Sequence, residues 1–148
     1  MKLLLLALLT TGLLAFDFDR SVQQIKFYEG FSSKPYKDRN HVSIGYGTNI
    51  SHITRAEAEL LLVHRLSIRL AKLRTYPWFN QLNPTRQLII LDMSYQLGMT
   101  GLLKFKHMIW RLNHGYWKAA ANAMRDSKWY NQSGRRSRQL VQQMKRGF

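Results

Sequence analysis

Two carboxylates stand out in a chain that is poor in acids. The 148-residue sequence holds eight Asp and Glu against 23 Lys and Arg, yet Glu29 and Asp38 both lie in the loop-like segment YEGFSSKPYKDRNHVSIGYG. Of the other acids, Asp17 and Asp19 flank an apolar leader, and Glu57 and Glu59 begin a predicted helix, where the helix dipole favours them. Asp92 lies in an apolar helix, and Asp126 lies at a loop edge.

The surroundings of the two carboxylates predict different protonation. Glu29 ends a predicted helix beside Phe27, Tyr28 and Phe31, where the helix dipole and desolvation both oppose ionisation. Asp38 lies between two basic residues, and nearby positive charge favours the ionised form. The sequence therefore predicts a general acid at position 29 and a base or electrostatic partner at position 38.

A carboxylic acid paired with a carboxylate is the arrangement that glycoside hydrolysis requires. One group protonates the leaving oxygen, and the other handles water or the positive charge that develops on the sugar. The spacing alone also fits a surface turn stabilised by Asp38. The glycine turn Gly45-Tyr46-Gly47 favours a tight hairpin beside the pair.

The overall charge indicates a polyanionic partner. The net charge is +15, and eleven bases face one acid between residues 101 and 148. Nucleic acid, an anionic membrane and a bacterial surface all fit such a face, as does a solvated face without a ligand. Without cysteine or a metal-type histidine spacing, we predict no metal and no cofactor.

An uncharged N-terminal run predicts export. Residues 3–16 carry no charge after Lys2, and as a helix they would span about 21 Å, short of the roughly 30 Å of a bilayer core. The length of the run and the leading base favour a secretory signal, but the small residues that a cleavage site requires are not at the expected spacing. We therefore expect residues 1–18 to form an export signal or an uncleaved anchor, with a buried helix as the alternative.

The remaining pattern predicts a mainly helical α+β fold. A short helix should end at Glu29, followed by a small antiparallel sheet within residues 31–50. A capping box from Thr54 to Glu57 opens a long helix. Asn83-Pro84 begins an apolar helix that should end at Gly98. Three more helices are expected at 101–112, 116–124 and 133–144, with Trp129-Tyr130-Asn131 as a break between the last two.

Three motifs in the right order resemble the phage-type lysozymes, glycoside hydrolase family twenty-four, including those of the T-even coliphages. The first is Glu29-Gly30 with Tyr36-Lys37-Asp38 and Ser43-Ile44-Gly45-Tyr46-Gly47. The second is Ile53-Thr54 through Glu57-Ala58-Glu59. The third joins residues 96–101 to residues 127–132, with Phe105 and Arg136. The resemblance covers nearly everything from Ile25 onward.

The resemblance implies a single catalytic domain over residues 19–148, with a lysozyme-like two-lobe fold. Residues 19–53 would form the small lobe with the sheet, 54–75 a connecting helix and 76–148 a helical lobe.

The resemblance also implies a muramidase that cuts the β-1,4 bond between N-acetylmuramic acid and N-acetylglucosamine in peptidoglycan. Glu29 would be the acid, and Asp38 with Ser43 would hold the attacking water, which implies inversion at the anomeric carbon. Tyr46, Tyr95 and Gln96 would contact the saccharide, whereas Trp129 would be core.

The first motif departs from the family pattern at two points. Asp38 and Ser43 are one residue closer than in the T-even pattern, and Ser43 replaces the usual Thr.

The leader resembles that of signal-anchor-release endolysins, which implies a monomer exported to the periplasm or inner membrane of a bacterial host. Its partners would be peptidoglycan and the inner membrane, not nucleic acid, and its role phage or prophage host-cell lysis. A lytic transglycosylase and a cationic membrane-permeabilising protein are the alternatives.

Overall fold

The computed structural model describes residues 17–148 and divides them into two compact units. The sheet unit ends at Arg55, and the helical unit runs from Ala56 to Phe148. Together, the described residues form eight helices and one three-stranded sheet. The predicted fold class, α+β and mainly α, is confirmed.

The sheet unit consists of one helix followed by three short antiparallel strands. The elements are α1 (Phe18–Glu29), β1 (Ser32–Asp38), β2 (His41–Gly45) and β3 (Thr48–Asn49), and the strands lie in the order β1-β2-β3. Asp17 caps α1 by accepting a hydrogen bond from the Arg20 amide at 2.9 Å. The helix therefore begins at Phe18, directly after its cap.

The helical unit carries the longer helices. They are α2 (Arg55–Arg74), α3 (Pro77–Asn80), α4 (Pro84–Leu103), α5 (Lys106–Asn113), α6 (Trp117–Arg125), α7 (Lys128–Gln132) and α8 (Gly134–Arg146). Helix α4 starts where Asn83 and Pro84 predict, because the Asn83 side chain accepts a hydrogen bond from the Arg86 amide at 3.0 Å. Helix α2 starts directly after Thr54, as the capping-box pattern predicts.

One expectation about helix ends is confirmed and two were wrong. The first part of α4 ends at Gly98 as predicted, because Gly98 takes φ 69° and ψ 167°, and a second helical segment continues from this kink to Leu103. The helix expected over 101–112 is instead divided, since α4 ends at Leu103 and α5 begins at Lys106. Trp129-Tyr130-Asn131 is part of the short helix α7 instead of a break, since Ser127 caps it by accepting from the Tyr130 amide at 3.2 Å.

The hydrophobic core lies in the helical unit. Its largest side chains with no more than 1% exposure come from α2 to α6 and from α8, and they are Leu73, Phe79, Ile89, Ile90, Met93, Leu102, Met108, Leu112, Met124 and Met144. Helix α6 packs against both α5 and α8. A side chain of this size contributes about 1.5–3 kcal/mol when fully buried, so this unit holds most of the hydrophobic stabilisation of the described chain.

A buried arginine fastens the C-terminal helix to α4. Arg86 is 8% exposed, and its Nε donates to the Met144 carbonyl at 3.1 Å. Its guanidinium lies 4.4 Å from the centre of the Trp117 ring, a cation–π contact. Burial lowers the pKa of Arg86 from its ordinary value. Next to it, the Asn83 amide donates to the Gly147 carbonyl at 2.9 Å.

The predicted export segment, Leu3 to Phe16, lies outside the described residues. Within residues 17–148, no helix has both the length and the hydrophobicity that crossing a membrane requires.

Candidate active site

Glu29 is the last residue of α1. The helix stops because Gly30 takes φ 66°, and the Gly30 amide still donates to the Lys26 carbonyl at 3.2 Å. The carboxyl therefore lies at the negative end of the helix, as predicted. Desolvation by its neighbours was predicted as well, and this was wrong: Glu29 is exposed, and Phe27 and Phe31 are 81% and 69% exposed. These rings project into solvent and do not cover the carboxyl.

The glycine turn between β2 and β3 holds the Glu29 carboxyl. A Cβ atom built on Gly47 would collide with Glu29 Oε2 and would lie 3.0 Å from Cδ. Gly47 also has φ 70°, a conformation that residues with a Cβ rarely adopt. The backbone therefore favours glycine at this position, and a larger residue would also displace the Glu29 carboxylate.

Asp38 ends β1 at a tight hairpin. The connection to β2 is the two-residue turn Arg39-Asn40, in which Arg39 takes φ 50°. Asp38 is paired in register with His41, and Asp38 Oδ2 lies 3.4 Å from His41 Nε2. The sequence pattern missed His41, because its position opposite the carboxylate depends on the length of the turn.

Ser43 lies in the centre of the sheet and is the one buried residue among the described residues of the sheet unit. It pairs with Tyr36 on one side and Asn49 on the other. Paired residues share a face and alternate residues return to it, so the Asp38–His41 pair and the Tyr36–Ser43 pair lie on the same face. The Ser43 hydroxyl has no hydrogen-bond partner among the described residues.

A depression of about 350 Å³ opens beside the Glu29 carboxyl. Its lining is Glu29, Gly30, Phe31, Ser32, Tyr36 and Gly45. Tyr46 stands next to it: its ring centre lies 5.3 Å from that of Phe31 and 5.5 Å from Lys26 Nζ. A general acid at the edge of a depression with aromatic walls can meet a sugar oxygen while a ring face packs on the sugar.

The other two predicted substrate contacts lie on α4 of the helical unit. Tyr95 is 39% exposed, and the Arg69 guanidinium lies 5.7 Å from the centre of its ring. Gln96 is held by its own unit, because its Oε1 accepts from Trp129 Nε1 and from Ser133 Oγ, each at 3.1 Å. Most of the hydrogen-bonding capacity of Gln96 is therefore used inside the protein.

Asp92 anchors this polar network. It accepts a hydrogen bond from Gln96 Nε2 at 2.6 Å, and two nitrogens of the Arg136 guanidinium donate to its carboxylate at 2.6–3.1 Å. An acid within an apolar helix needs partners, and one of them, Arg136, follows 44 residues later. Trp129 is 5% exposed, which agrees with its prediction as core.

The predicted residues fall into two groups. Glu29, Asp38, Ser43 and Tyr46 belong to the sheet unit, and the structure brings them to one helix end and one small sheet. Tyr95 and Gln96 belong to the helical unit. In residues 17–148, no group of three or more His, Cys, Asp or Glu side chains is arranged to hold a metal ion.

Comparison with known proteins gives three findings. The family model for phage lysozyme matches residues 26–146. The probable T4-type lysozyme 1 of Dictyostelium discoideum is 24% identical over 157 aligned positions, which cover 91% of this chain and 92% of that protein. The pre-baseplate central spike protein Gp5 of Enterobacteria phage T4 is 34% identical over 95 positions, covering 61% of this chain but only 16% of the spike protein.

Proposed function

The chain belongs to the phage lysozyme family and is a lysozyme-type peptidoglycan hydrolase, and from this premise we propose that it cuts the β-1,4 bond between N-acetylmuramic acid and N-acetylglucosamine. In this proposal Glu29 donates a proton to the glycosidic oxygen as the bond breaks. Water adds to the anomeric carbon and gives its proton to Asp38, so that both sugars leave with a hydroxyl group.

The buried hydroxyl of Ser43 is the observation that carries this proposal. A buried hydroxyl without a partner costs about 1–3 kcal/mol, and an apolar residue of similar size would avoid that cost. Ser43 shares its sheet face with Asp38, so its hydroxyl can bind the same water that the carboxylate deprotonates. The cost is offset if the hydroxyl orients water during catalysis.

The position of Glu29 supports its role as the acid. The carboxyl lies against Gly47 and borders a depression that can take a sugar ring. A general acid needs to be within hydrogen-bond reach of the oxygen that it protonates, and this position provides that reach for a sugar in the depression.

Product analysis tests the reaction. Purified peptidoglycan is digested with the protein and with Glu29→Gln, and the muropeptides are identified by mass spectrometry. We expect products with a free reducing end from the parent protein and almost none from the variant. Products lighter by one water, with an anhydro-sugar, would contradict hydrolysis and indicate a transglycosylase.

The stereochemistry tests the role of Asp38 and Ser43. A water held by this pair attacks opposite the leaving group and inverts the anomeric carbon, which needs carboxyl groups about 6.5–9.5 Å apart. Proton NMR of a soluble oligosaccharide digest should therefore show the α-anomer first. An initial β-anomer would contradict the water-holding pair and indicate a covalent intermediate on Asp38.

We further propose that the protein is an exported monomer that lyses the host of a phage or prophage, held at the inner membrane by residues 3–16. The uncharged run after Lys2 supports export. Deletion of residues 2–16 should abolish lysis from within unless a separate pore is supplied. Equal lysis by the deleted form, measured as culture turbidity, would contradict export by this segment.

A further inference from the structure

A second concave surface lies on the helical unit, on residues that the proposed reaction does not use. Its volume is about 600 Å³, within the range of about 300–1,000 Å³ that is typical of ligand pockets. Five of its lining residues are apolar, namely Pro77, Trp78, Leu103, Ile109 and Trp110. The remaining two, Lys106 and Asn113, are polar. We call this surface the Trp110 pocket.

Trp110 is exposed and yet held in position. It is 56% exposed, although each square ångström of apolar surface left in water forgoes about 25 cal/mol. Its ring stacks on His114 with centres 4.2 Å apart and planes at 28°, and Tyr116 lies 6.0 Å from both rings. The His114 Nδ1 lies 2.8 Å from the Trp110 carbonyl and donates to it.

This arrangement suits binding more than folding. Core formation does not account for an exposed tryptophan, whereas aromatic residues in pre-formed positions are typical anchors of binding sites. Because neighbouring rings restrict Trp110 before any ligand arrives, little side-chain entropy remains to be lost on binding. The ring is therefore ready to receive a flat apolar surface.

The polar groups of the pocket specify the chemistry of its ligand. Lys106 supplies a positive charge, and no acidic residue occurs between Met93 and Arg125 to neutralise it. Asn113 can donate and accept at the same time. The ligand should therefore offer an apolar face for the rings, an amide for Asn113 and a carboxylate for Lys106.

We propose that the Trp110 pocket is a second binding site for peptidoglycan, occupied by an N-acetylated amino sugar that carries a carboxylate. The C–H groups on one face of a pyranose ring are apolar and weakly positive, and they pack on the negative face of an aromatic ring. The acetamido group meets Asn113, and the lactyl or stem-peptide carboxylate meets Lys106. This inference rests on the proposed function, which supplies peptidoglycan as the polymer.

An anionic membrane is less well matched to this surface. Proteins that lie on bilayers insert a protruding apolar face between lipid headgroups. The Trp110 pocket is a shallow, open hollow, and one face of its tryptophan ring is stacked on His114, so the ring does not project alone. The shape therefore favours a sugar over a lipid surface.

A second site would raise the affinity of the enzyme for polymeric peptidoglycan. Once one site holds the polymer, the other samples the same polymer at a high effective concentration, and the combined affinity exceeds that of either site. The advantage exists for sacculi, which offer many sugars at once. It disappears for a soluble oligosaccharide too short to occupy both sites.

Co-sedimentation with purified peptidoglycan tests the proposal. Glu29→Gln serves as the parent so that the polymer stays intact, and the buffer contains 0.15 M salt to weaken non-specific attraction to the basic protein. We expect Trp110→Ala in this background to bind about tenfold more weakly. Phe148→Ala, which removes another exposed aromatic ring outside the pocket, should bind like the parent.

Activity assays separate this site from the reaction itself. With Glu29 intact, Trp110→Ala should clear sacculi several-fold more slowly but hydrolyse a short soluble oligosaccharide at the parental rate. Lys106→Gln should show the same division with a smaller effect, because it removes the charge and leaves the rings.

Three results would overturn the proposal. The first is peptidoglycan binding by Trp110→Ala equal to that of its parent. The second is weaker binding of this variant to vesicles containing phosphatidylglycerol with unchanged binding to peptidoglycan, which would make the pocket a membrane contact. The third is an equal loss on the soluble oligosaccharide, which would make Trp110 part of the reaction site. Failure of the proposed function would appear separately, as full activity of Glu29→Gln.

Discussion

The two units of this protein differ in what their buried residues are. In the helical unit, the buried residues are mostly large and apolar and form one continuous cluster. Among the described residues of the sheet unit, only Ser43 is buried, and its hydroxyl lacks a protein partner. One unit is organised around hydrophobic burial, the other around a polar group that folding alone would not favour.

We therefore expect the helical unit to determine stability and the sheet unit to carry the proposed reaction. Apolar burial is the main favourable term in folding, so substitutions in the helical unit should act on the free energy of unfolding. The sheet unit carries the proposed acid at the end of α1, the base at the end of β1 and the hydroxyl in the centre of the sheet. Substitutions at the two carboxylates can change rates with little loss of packing. The two kinds of effect should separate experimentally.

The largest effect should come from Glu29→Gln. The variant keeps the shape of the side chain but cannot donate the proton, and general acid catalysis is worth about 10²–10⁴-fold in rate. We expect kcat/KM on peptidoglycan to fall by that factor while the thermal midpoint stays within about 2 °C, since Glu29 is exposed. Activity within twofold of the parent would remove Glu29 as the acid.

A core substitution should show the opposite behaviour. Ile89→Ala empties a fully buried position on α4 and should lower the free energy of unfolding by about 2–5 kcal/mol. At a temperature where the variant is still folded, kcat should be unchanged. Its control is the adjacent Leu88→Ala, where the side chain is 59% exposed and the loss should be about 0.5 kcal/mol or less. Similar losses at both positions in denaturant titrations would refute the core as described.

The glycine turn allows a matched test within the sheet unit. Gly45 and Gly47 have φ of 68° and 70°, so alanine at either position carries similar backbone strain, about 1–2 kcal/mol. Only at Gly47 does the new methyl group push the Glu29 carboxyl away. We expect Gly47→Ala to reduce kcat by about 10²-fold, as misplaced catalytic groups do. Gly45→Ala leaves the carboxyl in place but adds a methyl group to the lining of the depression, so it should raise KM and change kcat far less. Equal rates for the two variants, at equal stability, would show that the turn does not position the acid.

The smallest effect should come from Asp92→Asn. This change weakens the double contact with Arg136, whose side chain is half exposed, and partly exposed ion pairs contribute about 1 kcal/mol or less. Asp126→Asn is the control, because Asp126 lies 3.6 Å from Arg125 with both side chains largely exposed. A shift in the urea midpoint should appear only for Asp92→Asn. A rise in KM without a change in kcat would also connect the network around Gln96 to substrate binding.

Local signals in the sequence were sufficient for much of the fold. The end of α1 at Glu29, the antiparallel sheet and the start of α4 at Asn83-Pro84 all depend on residues within a few positions of one another. The helix end at Gly98 was predictable as well, because it depends on the positive φ of one glycine. The division of the expected helix 101–112 was missed, and α5 begins only at Lys106. Helix α7 was missed because Trp129-Tyr130-Asn131 was taken as a break, although Ser127 caps a short helix there.

The sequence indicated the residues of the candidate site but not their contacts. The spacing of Glu29 and Asp38 and the family motifs led to the proposed acid, base and hydroxyl, whose roles stay predictions. The His41 contact, the packing of Glu29 on Gly47 and the Asp92–Arg136 pair depend on strand register, backbone angles and distant residues. A single sequence does not specify those quantities, because each results from the chain folding as a whole.

The contacts of Asn83 and Arg86 with the C-terminal helix bear on the order in which the chain can fold as it is synthesised. They join residues 64 and 58 positions apart, and such contacts form only after the intervening chain has been closed into a loop. When helix α4 leaves the ribosome, Arg86 lacks the partners that bury it, because Met144 and Gly147 have not yet been synthesised. The helical unit can therefore complete its folding only after the end of α8 has emerged. A fragment that stops before residue 144 would leave the Arg86 charge exposed beside an incomplete core.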